Sequence, residues 1–169
     1  MKTKFALLIA LFFIATSLTV KADALPVKIV PPITPTLEGW KVESGNAKVL
    51  DESQKGPQGG FVVHIDGEAA LSAQLAGQPG KTYTITFATR RLAGPQVWAG
   101  CVQLLCTDDK RALINPQAYK HPYPPVSTDW SPVTETFTVP ANAADARLMI
   151  STKPGVIVEV TDLMILSVP

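Results

Sequence analysis

Residues 81–90 read KTYTITFATR, in which Tyr83, Ile85 and Phe87 alternate with Thr82, Thr84 and Thr86. A period of two puts the apolar set on one face and the threonines on the other, the pattern of a half-buried strand and not of a helix. The same alternation marks FVVHID (Phe61, Val63, Ile65), ALSAQL (Leu71, Ala73, Leu75) and VTETFTV (Val133, Phe137, Val139), with ARLMIS as a shorter case. The final run, VIVEVTDLMILSV, is apolar on both faces, which predicts a central, buried strand. Beyond residue 36 no segment of a dozen residues keeps a 3.6-residue apolar period, so helices are not expected as main elements.

Turn chemistry separates these runs: GPQGG, DGE, GQPG, AGP, DD, NP and KPG. About eight short strands punctuated in this way predict an all-β fold, an antiparallel β-sandwich of the jelly-roll kind. The strand regime begins near residue 37. Before it, LPVKIVPPITPT carries four prolines and reads as an extended lead-in or an edge strand over residues 25–36.

The first 24 residues, MKTKFALLIALFFIATSLTVKADA, have the three parts of a secretory signal. Lys2 and Lys4 give the basic start, Phe5 to Val20 the apolar stretch, and Ala22-Asp23-Ala24 a small-x-small cleavage site. The expected product is a secreted or periplasmic chain whose mature part does not insert into a membrane. Residues 37–169 are then one sandwich domain, a length that supports a core of its own. Of 15 basic and 14 acidic residues, three and one fall in the signal, leaving 12 against 13. So even a balance gives no electrostatic footprint for nucleic acid.

Cys101 and Cys106 lie five apart in WAGCVQLLCT. On one extended strand they face opposite ways and stand about 16 Å apart, too far for a disulfide. Two unbridged thiols are expected.

Four stretches carry a family resemblance: EGWKVESGNAKV, PGKTYTITFATR, TDWSPVTETFTVP and the closing VIVEVTDLMIL. In this order they resemble the CenC-type carbohydrate-binding modules, members of the galactose-binding-like group of jelly-roll sandwiches. The resemblance runs from about Leu37 to Val168 and implies a non-catalytic domain that binds a polysaccharide or oligosaccharide. It also implies a structural calcium site, although the paired aspartates usual in the closing strand stand here as Thr161-Asp162. Glu38 and Asp162 are the candidate calcium ligands, since calcium takes carboxylate oxygens.

Sugar binding in water needs flat aromatic faces with polar groups at their rim. Trp98, which opens a strand after RRLAGPQ, and Tyr119 and Tyr123, in the proline-rich run YKHPYPP, are the candidate platforms. Prolines would hold that run rigid, so its rings could be presented at little ordering cost; the alternative is that the tyrosines fold back and plug the end of the sandwich. Arg90, Arg91, Gln103 and His121 are the candidate polar partners, the arginines as planar donors for hydroxyls or an acidic sugar. Trp40 and Trp130 read more readily as packing residues, and His64 as a half-exposed strand residue.

No nucleophile elbow, phosphate loop or Ser/His/Asp order is present, which speaks against an enzyme. Asp51, Glu52, Asp66, Glu68, Asp108 and Asp109 are scattered acids of the sort any soluble surface needs. An extracellular protein-protein interaction domain is the alternative function, and a small glycan-active hydrolase the third.

Overall fold

The computed structural model describes residues 28–167, so the signal sequence and the first residues of the lead-in lie outside the described residues. Eight strands follow one another: β1 (Trp40–Val49), β2 (Val63–Gln74), β3 (Thr82–Ala93), β4 (Gly100–Thr107), β5 (Tyr119–Pro122), β6 (Ser131–Thr138), β7 (Asp145–Thr152) and β8 (Ile157–Ser167). There is no helix among the described residues. All seven strand pairings are antiparallel, in the order β5-β4-β7-β2-β8-β3-β6 with β1 along β2.

Two layers arise because β2 changes partners midway. Its first part, Val63–Asp66, pairs with β8, and its second, Ala70–Gln74, pairs with β7. Strand β1 follows β2 around this bend, with register shifts on either side of Ser44. Gly45 makes the bend possible: its φ of +67° suits glycine, and a Cβ there would lie 2.0 Å from the Glu68 carbonyl. One layer is therefore β1-β2-β7-β4-β5 and the other β1-β2-β8-β3-β6. The free edges of the two layers approach each other, with the Tyr119 and Phe137 rings 5.8 Å apart, so the sandwich is nearly a closed barrel.

Between the layers the alternating positions meet. Val63, Ile65, Leu71, Ile85, Val102, Leu104, Leu148, Ile150, Val158, Val160 and Ile165 are wholly buried. β8 lies between β2 and β3, as its doubly apolar sequence predicts, and its outward positions are covered too. Glu159 sits there between His64 and Arg90, while Thr161 donates to the Phe61 carbonyl. The segment from Gly56 to Gly60 passes over this face so closely that a Cβ at Gly56 would lie 2.3 Å from Thr161. The lead-in adds to the core: Ile29, Val30 and Ile33 are buried, and the Ile29 amide donates to the Ile165 carbonyl.

Candidate functional site

The outer face of the β1-β2-β7-β4-β5 layer presents a polar row. Cross-strand register sets Lys41, Ser72, Met149, Gln103 and Lys120 side by side over all five strands. Four strand spacings make this row about 19 Å long. Ala70, Ser151, Cys101 and Pro122 form the neighbouring row, and Gln74, Arg147 and Leu105 flank it on the other side. No strand or helix covers this face among the described residues. Even so, Ser72 is only 6% and Gln103 only 8% exposed. Taller neighbours shade them, and the face is a trough with a polar floor.

Trp98 stands at the β5 side, 51% exposed, with the Lys120 ammonium 3.8 Å from its ring centroid. At the β1 side the Glu43 carboxylate accepts from Lys41 and from the Ser72 hydroxyl. These two bonds, with the nearby positive charges of Lys41 and Arg147, hold Glu43 below the ordinary carboxylate range. Beside the row, past Leu105 and Arg147, lies a cavity of about 710 Å³ lined by Leu105, Asp109, Arg111, Asp145 and Arg147. Asp145 there accepts from Gln74 and Arg147, so its charge is paired. An apolar ring face, a thioether and fixed donors and acceptors together suit a neutral ligand rich in hydroxyls.

The sequence candidates do not all converge on the trough. Trp98 and Gln103 belong to it. Tyr119 and Tyr123 do not: they are 6% and 8% exposed and packed into the core, which corrects their expected role as a presented platform. Tyr119 pairs in register with Leu104, whose side chain points inward, and so its ring goes inward too. Burial, and then the neighbouring Glu135 carboxylate, push its phenol far above the ordinary value. The Tyr123 hydroxyl donates to the Cys101 carbonyl at 3.4 Å, and burial pushes its phenol up as well.

His121 shares the inward phase; it lies 3.1 Å from Glu135 of β6 and meets the Phe87 ring edge-on. Arg90 is on the opposite layer, paired with Glu159, bonded to the Thr128 carbonyl and stacked 4.5 Å from the centre of the Trp130 ring. Arg91 is buried at one end of the sandwich, donating to the Pro95 carbonyl. Trp40 is a core residue whose indole donates to the Pro31 carbonyl. The trough residues that sequence reasoning missed are Lys41, Glu43, Ser72, Lys120, Arg147 and Met149. The phase of ARLMIS does place Arg147, Met149 and Ser151 on one face, but nothing in it names the neighbouring strands.

Cys101 and Cys106 are both free and buried, on opposite faces of β4 as the odd spacing requires. Burial pushes both thiols above their ordinary value, which disfavours the thiolate that nucleophilic chemistry needs. The acids are spread out: Asp108 and Asp109 line the cavity beside the trough, whereas Asp66 lines a different one beside His64.

Of the two candidate calcium ligands, the Asp162 carboxylate has backbone partners. Asp162 accepts from the Gly60 amide at 2.8 Å and the Gln58 amide at 3.1 Å, fastening the segment that crosses β8. The Glu38 amide donates to the Thr34 hydroxyl in the turn before β1. Among the described residues no group of three or more His, Cys, Asp or Glu side chains converges on a metal-sized site.

No family model matches the sequence, and no curated protein matches it. Solved structures do. A xylan-binding domain from family 22 of the carbohydrate-binding modules superposes with a TM-score of 0.60 at 14% identity, over 82% of this chain and 92% of that one. The N-terminal cellulose-binding domain of Cellulomonas fimi β-1,4-glucanase C gives 0.51 at 15% identity, over 78% and 90%. The CBM22-1–GH10 portion of Clostridium thermocellum xylanase 10B gives 0.58 at 14% identity over 82% of this chain, which spans only 28% of that longer one. At such identities the likeness shows the fold alone, an antiparallel β-sandwich.

Proposed function

We propose that this protein is an exported, non-catalytic carbohydrate-binding domain that seats a polysaccharide or oligosaccharide in the trough. The observation that carries the reading is the sunken row itself, in which Ser72 and Gln103 face outward yet are shaded, with exposed Trp98 at the rim. Trp98 takes the apolar face of a sugar ring, and Gln103, Glu43 and Lys41 take hydroxyls. The fold supports it, since the neighbours matched over nearly their whole length are named as xylan- and cellulose-binding domains. A few such contacts set against ordering costs correspond to a Kd on the order of micromolar to millimolar.

The test is isothermal titration of the mature chain with soluble xylan and mixed-linkage β-glucan, repeated with Trp98→Ala and Gln103→Ala. Binding by the wild type and a loss of at least tenfold in each variant, about 1.4 kcal/mol, is expected. Absence of binding to either polymer, or variants that bind as the wild type does, would sink the assignment. A protein partner is the second reading, favoured by Val97, which stands 77% exposed beside Trp98; co-purification of one protein at fixed stoichiometry would support it.

A further inference from the structure

At the Trp98 end of the sandwich lies a smaller cavity, of about 240 Å³, between the segment leading into β4 and the one leaving β5. Arg91, Gln96, Trp98, Pro122, Tyr123 and Pro125 form its walls. Arg91 is 3% exposed. Its Nη1 donates to the Pro95 carbonyl at 2.7 Å, and its Nε is buried with no partner. None of the ion pairs among the described residues involves Arg91, and no Asp or Glu lines the cavity.

A guanidinium keeps its charge at any ordinary pH, and a buried charge without a counter-charge is costly. Elsewhere this protein neutralises such groups: Arg90, the adjacent residue in the chain, is bonded to Glu159. At Arg91 the counter-charge is missing, and the group that lacks it borders an open cavity. The remaining walls offer no competing negative charge. The prolines have no amide to donate, and the Tyr123 hydroxyl is committed to the Cys101 carbonyl. The volume is below the range of about 300–1,000 Å³ typical of whole small-molecule sites, so it fits one small unit and not a run of polymer.

From these features we infer that the cavity binds a carboxylate-bearing sugar unit, with Arg91 as its counter-ion and Gln96 as a second donor. The inference rests on the carbohydrate-binding reading, because Trp98 borders both the cavity and the trough. A sugar chain in the trough would bring an acidic unit to Arg91. The domain would thereby distinguish acidic glycans from neutral ones.

Titrations would compare a soluble polyuronate with the same polymer after reduction of its carboxyls, and D-glucuronate with D-glucose and with acetate. The wild type is expected to bind the polyuronate at least tenfold more tightly than its reduced form, and glucuronate in preference to both small controls. Arg91→Met should erase the preference. Because Arg91 is buried and that variant can fail to fold, Gln96→Glu is the second arm. It lies in an exposed segment, supplies an internal counter-charge and should erase the preference without touching the core. Equal binding of both polymers by the wild type, a preference that survives Gln96→Glu, or acetate binding as well as glucuronate would each overturn the inference. Neutral xylan keeps the two readings apart. If it still binds while the carboxylate preference is absent, only this inference falls; if glucuronate binds and xylan does not, the trough assignment falls and the anion site stands.

Discussion

Raising the pH above 10 tests whether YKHPYPP is a plug or a presented platform. The ordinary phenol value is 10.0, and both Tyr119 and Tyr123 are pushed well above it, chiefly by burial. A folded-state value above the unfolded one means that the folded form holds the proton more tightly. The stabilisation is then complete below pH 10 and is lost as pH rises above 10 toward the folded value. Each tyrosine that stays neutral when folded but ionises when unfolded removes about 1.4 kcal/mol per pH unit. Two of them remove about 2.7 kcal/mol per unit, so by pH 11 roughly a fifth to a half of a typical stability of roughly 5–15 kcal/mol is gone. Cys101 and Cys106 act in the same direction from about their ordinary value of 9.0 upward. Urea unfolding at pH 8 and pH 11 would measure the loss in the wild type and in the double variant Tyr119→Phe/Tyr123→Phe, which keeps the rings and drops the phenols. The double variant should lose about 2.7 kcal/mol less between the two pH values. An identical loss in both proteins, or phenolate absorbance from these two tyrosines appearing reversibly near pH 10 in folded protein, would refute the buried placement.

On the other layer, Glu159 has a side chain 4% exposed and serves Arg90 and His64, which are 28% and 21% exposed. Arg90→Met should therefore cost more, about 3 kcal/mol, than Glu159→Gln, because the first leaves a buried carboxylate without its guanidinium while the second leaves a part-exposed guanidinium that water reaches; chemical denaturation of both variants gives the order. Asp162 already binds two backbone amides. Chelation of calcium should shift Tm by less than about 4 °C, the equivalent of 1 kcal/mol, whereas Asp162→Ala should cost about 2–4 kcal/mol; thermal melts with and without chelator distinguish these outcomes.

The strands were legible because burial on one face writes a period of two into the chain, and Tyr83, Ile85 and Phe87 display it without interruption. The closing strand was legible for the complementary reason, its apolar character on both faces. Which strands are neighbours was not. The trough combines residues from β1, β2, β4, β5 and β7, and their adjacency is set by where β2 changes partners, near Gly67, a position whose sequence signal is only that of a turn.

The run YKHPYPP shows how local chemistry misleads when phase is ignored. Its prolines suggested a stiff loop, yet Tyr119–Pro122 is an edge strand, the one setting in a sheet where proline's missing donor costs little. Once the run is a strand, alternation decides its function. Tyr119 and His121 take the inward phase, and Lys120 the outward one, under Trp98. The residue between the two eye-catching aromatics is thus the one that reaches the trough. The same logic explains Arg90 and Arg91, neighbours in sequence that part company in space: one turns outward to a carboxylate, and the other turns inward, to the end of the sandwich where no carboxylate waits. A binding role for this chain therefore hangs on the parity of each residue within its strand more than on its type.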